Sequence, residues 1–148
     1  MKNLLFLFFM LFSFAVNAQP NQSPVIWKFD VKKSSENTYT IYSTAIIEKG
    51  WHVFTTEPGG DGLLIPTAIN IDENKGITIS KPFALDGKFV THDMEYVGKV
   101  NYVEGIGQFT ITVISKTATT LKGLLTYQCC NEKMCLPPTD VPFSVELK

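Results

Sequence analysis

Three cysteines stand close together near one end of a 148-residue chain, in the run Tyr127-Gln128-Cys129-Cys130-Asn131-Glu132-Lys133-Met134-Cys135-Leu136-Pro137-Pro138. Thiols at this spacing suit reversible chemistry. When a bond between two of them is open, the second sulfur stays near, so one can attack and the other can resolve the mixed disulfide. Neighbouring cysteines rarely bond to each other, because a disulfide wants Cα atoms about 4.4–6.8 Å apart. Cys130 with Cys135, across a short turn, is the comfortable pair; Cys129 with Cys135 is the next, and spacing leaves both open. If a strand from Leu121 runs on through Cys129, alternation puts Cys129 on the face of Leu125 and Tyr127 and turns Cys130 the other way.

A purely structural bond is the competing reading. Closing a loop this short stabilises a fold by only roughly 2 kcal/mol in the chain-entropy picture, and a domain of this size has enough core without it. The alternative function is therefore a non-catalytic binding or scaffold domain with a structural disulfide. Zinc wants four Cys or His ligands, usually as paired units; here a single cysteine cluster has only His52 and His92 to complete it, so no metal is expected. Lys133 in the turn could lower a thiol pKa, but Glu132 beside it offsets that. No other nucleophile and base stand out, and no nucleotide, flavin or other cofactor is implied.

The elements that must hold these sulfurs read as strands. Tyr39, Ile41, Ser43, Ala45 and Ile47 alternate with Thr38, Thr40, Tyr42, Thr44 and Ile46, a period of two rich in β-branched and aromatic residues. Val25–Val31, Phe109–Val113, Leu121–Tyr127 and Val141–Leu147 repeat the pattern. Glu48-Lys49-Gly50, Asn74-Lys75-Gly76, Asp86-Gly87 and Glu104-Gly105 mark reversals, and Glu57–Gly62 reads as the longest flexible stretch. Apolar residues nowhere recur at helical spacing over three turns. About seven to nine short strands so punctuated indicate an all-β, antiparallel, immunoglobulin-like sandwich, with a closed barrel as the alternative. Residues 19–148 read as one domain, without repeats or linkers.

The remaining residues set the compartment. Lys2 is the one charge before the run Leu4–Val16, mostly Leu and Phe, and small residues at Val16-Asn17-Ala18 precede Gln19. This is the pattern of a cleaved signal peptide over residues 1–18, and its apolar part is too short to span a bilayer. The first cysteine is Cys129, so no lipid attachment follows the signal, and no second segment reaches spanning length. The 13 basic residues are all lysine against 14 acidic ones, a formal net charge of −1. With no arginine and no basic run, the footprint of a nucleic-acid binder is missing. The expectation is an exported, periplasmic or secreted protein with no membrane insertion after cleavage, in surroundings where disulfides persist.

At the cysteines the sequence resembles a known family, the N-terminal periplasmic domain of the thiol:disulfide interchange protein DsbD. The segment Tyr127-Gln128-x-Cys130 through Cys135-Leu136-Pro137-Pro138 is similar to its redox motif. Gly50-Trp51-His52-Val53-Phe54 with the following glycine-rich loop and Ile65-Pro66-Thr67 is a second match. Met94-Glu95 leading to Tyr102-Val103-Glu104-Gly105 is a third, and Pro142-Phe143-Ser144-Val145 a fourth. The resemblance implies an immunoglobulin-like fold with one reversible disulfide, Cys135 forming mixed disulfides and Cys130 resolving them. It implies a thioredoxin-like or membrane-embedded electron donor and periplasmic oxidoreductases, including those of cytochrome c maturation, as acceptors. It also implies a cap over the sulfurs at Phe89–Val97, with Tyr96 as the covering ring and Met94 and Glu95 beside it. His52 and Phe54 fall where the family can place tyrosines next to the disulfide. Cys129 departs from the pattern and makes a competing disulfide conceivable.

Overall fold

The computed structural model describes residues 23–148; the segment read as a signal peptide lies outside the described residues. Eleven strands follow one another: β1 (Val25–Ser35), β2 (Thr38–Ile47), β3 (His52–Gly59), β4 (Ala68–Ile71), β5 (Ile77–Leu85), β6 (Val90–Met94), β7 (Gly98–Glu104), β8 (Ile106–Ser115), β9 (Thr119–Tyr127), β10 (Cys129–Cys130) and β11 (Thr139–Leu147). They form three antiparallel sheets, in the orders β1-β2-β8-β5, β10-β3-β7-β6 and β11-β9-β4.

Side-chain alternation explains how these sheets stack. In β2 every second residue from Tyr39 to Ile47 is buried, and β9 does the same from Leu121 to Tyr127. One apolar cluster joins Val25, Ala45, Ile47 and Phe109 of the first sheet to Val53 and Val103 of the second and Leu125 and Tyr127 of the third. Another joins Tyr39, Ile41, Ile111 and Val113 of the first sheet to Leu121, Phe143, Val145 and Leu147 of the third. The first sheet is therefore one layer, and the other two lie end to end as the opposing layer. Fully burying each such Ile, Leu or Phe contributes about 1.5–3 kcal/mol.

The immunoglobulin-like sandwich expected from the sequence is present, with differences in detail. The second layer is split, because the β9 ladder stops at Tyr127 and the chain resumes at Cys129 against a different strand. The stretch Glu57–Gly62 is less loose than its glycines suggest. β3 runs through Gly59, with Asn101 Nδ2 donating to Glu57 O at 3.1 Å inside a wide bulge between Phe54 and Gly59. Proline inside strands falls at positions that tolerate a missing N–H: Pro82 and Pro142 are on the edge strands β5 and β11, and Pro58 is in the bulge of β3 between Phe54 and Gly59.

Candidate functional site

Cys130 and Cys135 are joined by a disulfide, with Cα atoms 4.0 Å apart. They face each other as an isolated antiparallel bridge. Asn131 N–H donates to Met134 O at 2.9 Å on one side, and Leu136 N–H to Cys129 O at 2.9 Å on the other. Those flanking bonds make Cys130 and Cys135 a non-hydrogen-bonded pair, the narrow kind in which side chains stand closest. The turn between them is set by Asn131, whose Oδ1 accepts from Lys133 N–H at 2.8 Å and Met134 N–H at 2.9 Å. Pro137-Pro138 then keeps the chain out of sheet pairing until β11 begins at Thr139.

The alternation anticipated for the adjacent cysteines decides their fates. Cys129 pairs with Val53 across β3 and packs in the inner cluster with Leu125 and Tyr127. Its free thiol is 2% exposed, and burial pushes its pKa up to about 11. A competing Cys129–Cys135 bond is thus not formed: the two side chains leave the ribbon on opposite faces. Cys130 pairs with His52 and turns to the outer face of the second sheet. There it forms a small separate cluster with Phe54 and Val100, with Leu64, Val97 and Tyr102 packed against it. Cys130 is 2% exposed, whereas Cys135 is exposed.

His52 lies between Cys130 on one neighbouring strand and Glu104 on the other. Its half-buried ring rests against Tyr102, centroids 4.3 Å apart, and edge-on to Phe54 at 5.5 Å. Desolvation lowers its pKa from 6.5, and the Glu104 carboxylate opposes part of that shift. Burial, with a smaller push from Glu104, raises the Tyr102 pKa. The structure thus brings His52 and Phe54 beside the disulfide.

The expected cap is built differently from its sequence reading. Phe89–Val97 supplies the exposed strand β6 and the turn after it, closed by Val97 N–H donating to Met94 O at 3.1 Å. Met94 and Glu95 are exposed, and Tyr96, at φ 69°, is 93% exposed. An L-residue holds that left-handed backbone at a cost of about 1–2 kcal/mol. Tyr96 therefore does not cover the sulfurs; the turn points it to solvent and aims Val97 into the cluster instead.

The rest of the cover is the loop from Gly60 to Thr67, in which sequence reasoning gave no residue a role. Thr67 Oγ1 donates to Phe54 O at 2.6 Å, and Gly60 N–H to Lys99 O at 2.9 Å, pinning the loop at both ends. Gly60 is left-handed, and a Cβ there would lie 3.0 Å from Val97 and 3.1 Å from Leu64. Glycine is what lets these two cover residues meet. The available signal was Leu63-Leu64, two apolar residues inside a glycine-rich turn.

An immunoglobulin-like sandwich with one disulfide on its outer face, joining an exposed cysteine to a buried one, defines the class. The chain belongs to the family of the thiol:disulfide interchange protein DsbD, N-terminal, which matches residues 18–147. Among solved structures it is similar to the N-terminal periplasmic domain of ScsB from Proteus mirabilis, at 20% identity and TM-score 0.65, covering 86% of this chain and 48% of that one. It is also similar to the reduced DsbD N-terminal domain of Neisseria meningitidis, at 16% identity and TM-score 0.51, covering 86% and 89%. The same Neisseria domain in complex with the PilB N-terminal domain matches at 16% identity and TM-score 0.51, covering 86% and 87%. No curated protein matches the chain in sequence.

Proposed function

We propose that residues 19–148 form an exported thiol:disulfide exchange module that passes reducing equivalents between cell-envelope proteins through the Cys130–Cys135 bond. The observation that carries this reading is the unequal exposure of two bonded cysteines, Cys135 exposed and Cys130 2% exposed. The exposed cysteine is the one an incoming thiolate meets first.

In the loading half-reaction a donor thiolate attacks Cys135 Sγ. The Cys130–Cys135 bond breaks, Cys130 leaves as a thiolate and takes a proton, and a mixed disulfide joins donor to Cys135. The donor's second thiol attacks its own sulfur in that bond and releases Cys135, so the donor is oxidised and the module reduced by two electrons. In the delivery half-reaction Cys135 attacks an acceptor disulfide, and Cys130 then displaces the acceptor and restores the internal bond. The pair itself carries the electrons. The donor is a thioredoxin-like or membrane-embedded protein and the acceptor a periplasmic oxidoreductase. Support comes from the family membership and from the Neisseria meningitidis DsbD domain having been solved in complex with the PilB N-terminal domain.

The test is covalent trapping from an envelope extract of the source cells. Cys130→Ser leaves Cys135 without its resolving thiol and should accumulate mixed disulfides; Cys135→Ser should accumulate none. Equal trapping by the two variants overturns the assignment of roles. A bond in the unmodified protein that stays closed in thiol buffers below about −300 mV makes the disulfide structural.

A further inference from the structure

The Gln128 side chain has two partners from distant parts of the chain. Its Oε1 accepts from Ile65 N–H at 3.3 Å, and its Nε2 donates to Leu136 O at 3.3 Å. Ile65 follows Leu64, the cover residue packed against the Cys130 cluster; Leu136 follows Cys135 and bonds back to Cys129 O. Gln128 also occupies the point where the chain leaves the third sheet for the second. Its half-buried amide thus ties together the loop over Cys130, the arm leaving Cys135, and the strand that carries Cys129 and Cys130.

We propose that Gln128 is a positioning residue that holds the Leu64-Ile65 cover over Cys130 through its two amide hydrogen bonds, and so restricts attack from outside to Cys135. Its amide bonds go to Ile65 and Leu136 and not to either sulfur, so it acts through the loop. This deepens the exchange reading above, since a module with two open sulfurs would form mixed disulfides at either one and lose its fixed order of attack and resolution. The geometry is suited to that task. An Oε1 bond to a backbone N–H fixes the loop at the residue next to Leu64, whereas apolar packing alone would let Leu64 slide. The Nε2 bond uses the other end of the same rigid amide, so neither segment can shift without breaking one of the two.

The three thiols of the reduced protein provide the test and its internal control. Cys135 is exposed, Cys130 is under the cover, and Cys129 is in the inner core. Brief labelling with iodoacetamide, read at each cysteine by fragment mass spectrometry, should modify Cys135 first in the unmodified protein. In Gln128→Ala, labelling of Cys130 should rise about tenfold, the effect of losing one hydrogen bond on a local opening equilibrium. Cys129 and Cys135 should keep their rates. Gln128→Glu retains an oxygen for Ile65 N–H but loses the donor to Leu136 O, and should label Cys130 at a rate between those of the unmodified protein and Gln128→Ala. If Cys130 and Cys129 accelerate together in Gln128→Ala, the residue merely stabilises the fold and the proposal falls. It falls equally if Cys130 does not accelerate, or if Gln128→Glu labels as fast as Gln128→Ala. The readout needs no partner protein, so it stands or fails separately from trapping of a donor or acceptor.

Discussion

Cys129 and Cys130 are neighbours in the chain and inhabit two different cores. The inner one lies between layers and is lined from three sheets, with Phe109 and Leu125 fully enclosed. The outer one is a patch on one face of a single sheet, where Phe54, Val100 and Cys130 are closed off by Leu64 and Val97, both only half-buried. The first is enclosed by strands; the second by a loop and a turn. Local opening is cheap where few apolar contacts and few ladder bonds must be broken. The same protein thus encloses one cysteine between its layers and the next under two half-buried side chains.

The contrast is broken or sharpened most strongly by paired truncations. Phe109→Ala should cost about 3–5 kcal/mol in urea unfolding, since the ring is buried against Trp27 and Phe83. Leu64→Ala should cost only about 1 kcal/mol, yet speed reduction of the disulfide by dithiothreitol several-fold. If the two variants lose similar stability, or if Leu64→Ala leaves the reduction rate unchanged, the two cores are not different in kind.

A smaller effect comes from alkali. The Cys129 thiol titrates near 9 when unfolded and at about 11 when folded, so the folded state resists losing its proton. Its contribution to stability is whole below pH 9 and is lost as pH rises toward 11. Cys129→Ala should flatten that part of the stability profile, measured by denaturant midpoints from pH 8 to 11. An unchanged slope would mean the inner core admits the thiolate.

The smallest effect belongs to His52. Its folded pKa lies below 6.5 because burial disfavours the imidazolium. The unfolded chain therefore binds the proton first, and stability should fall as pH drops below 6.5. Because the ring is half-exposed, the loss should be a fraction of a kcal/mol. An NMR titration should place the His52 midpoint under 6.5, and His52→Phe should remove the acid slope; a midpoint above 6.5 contradicts the packing against Tyr102 and Phe54.

What the sequence disclosed follows the same division. Strand alternation is local, so Tyr39–Ile47 and Leu121–Tyr127 could be assigned to faces, and so could the split between Cys129 and Cys130. Position of a cover is not local. A single positive φ at Tyr96 exchanges which residue of the turn faces inward, and no periodicity signals it. Likewise Gln128 bonds to Ile65, 63 positions away, and the break in β9 occurs at a residue with no turn character. The competing cysteine pairing stayed open for the reverse reason: spacing permits both bonds, and only the direction of the side chains separates them.

The interruption at Gln128 has a mechanical consequence. Hydrogen bonds of β9 run to β4 and β11, and those of β10 to β3. A disturbance that unzips β10 from β3 therefore reaches the end of its ladder after two residues and has no rung by which to travel into β9. Strain put on β10 from the outer face thus ends within two residues and leaves the register of β9 against β4 and β11 untouched, as a perforation limits a tear.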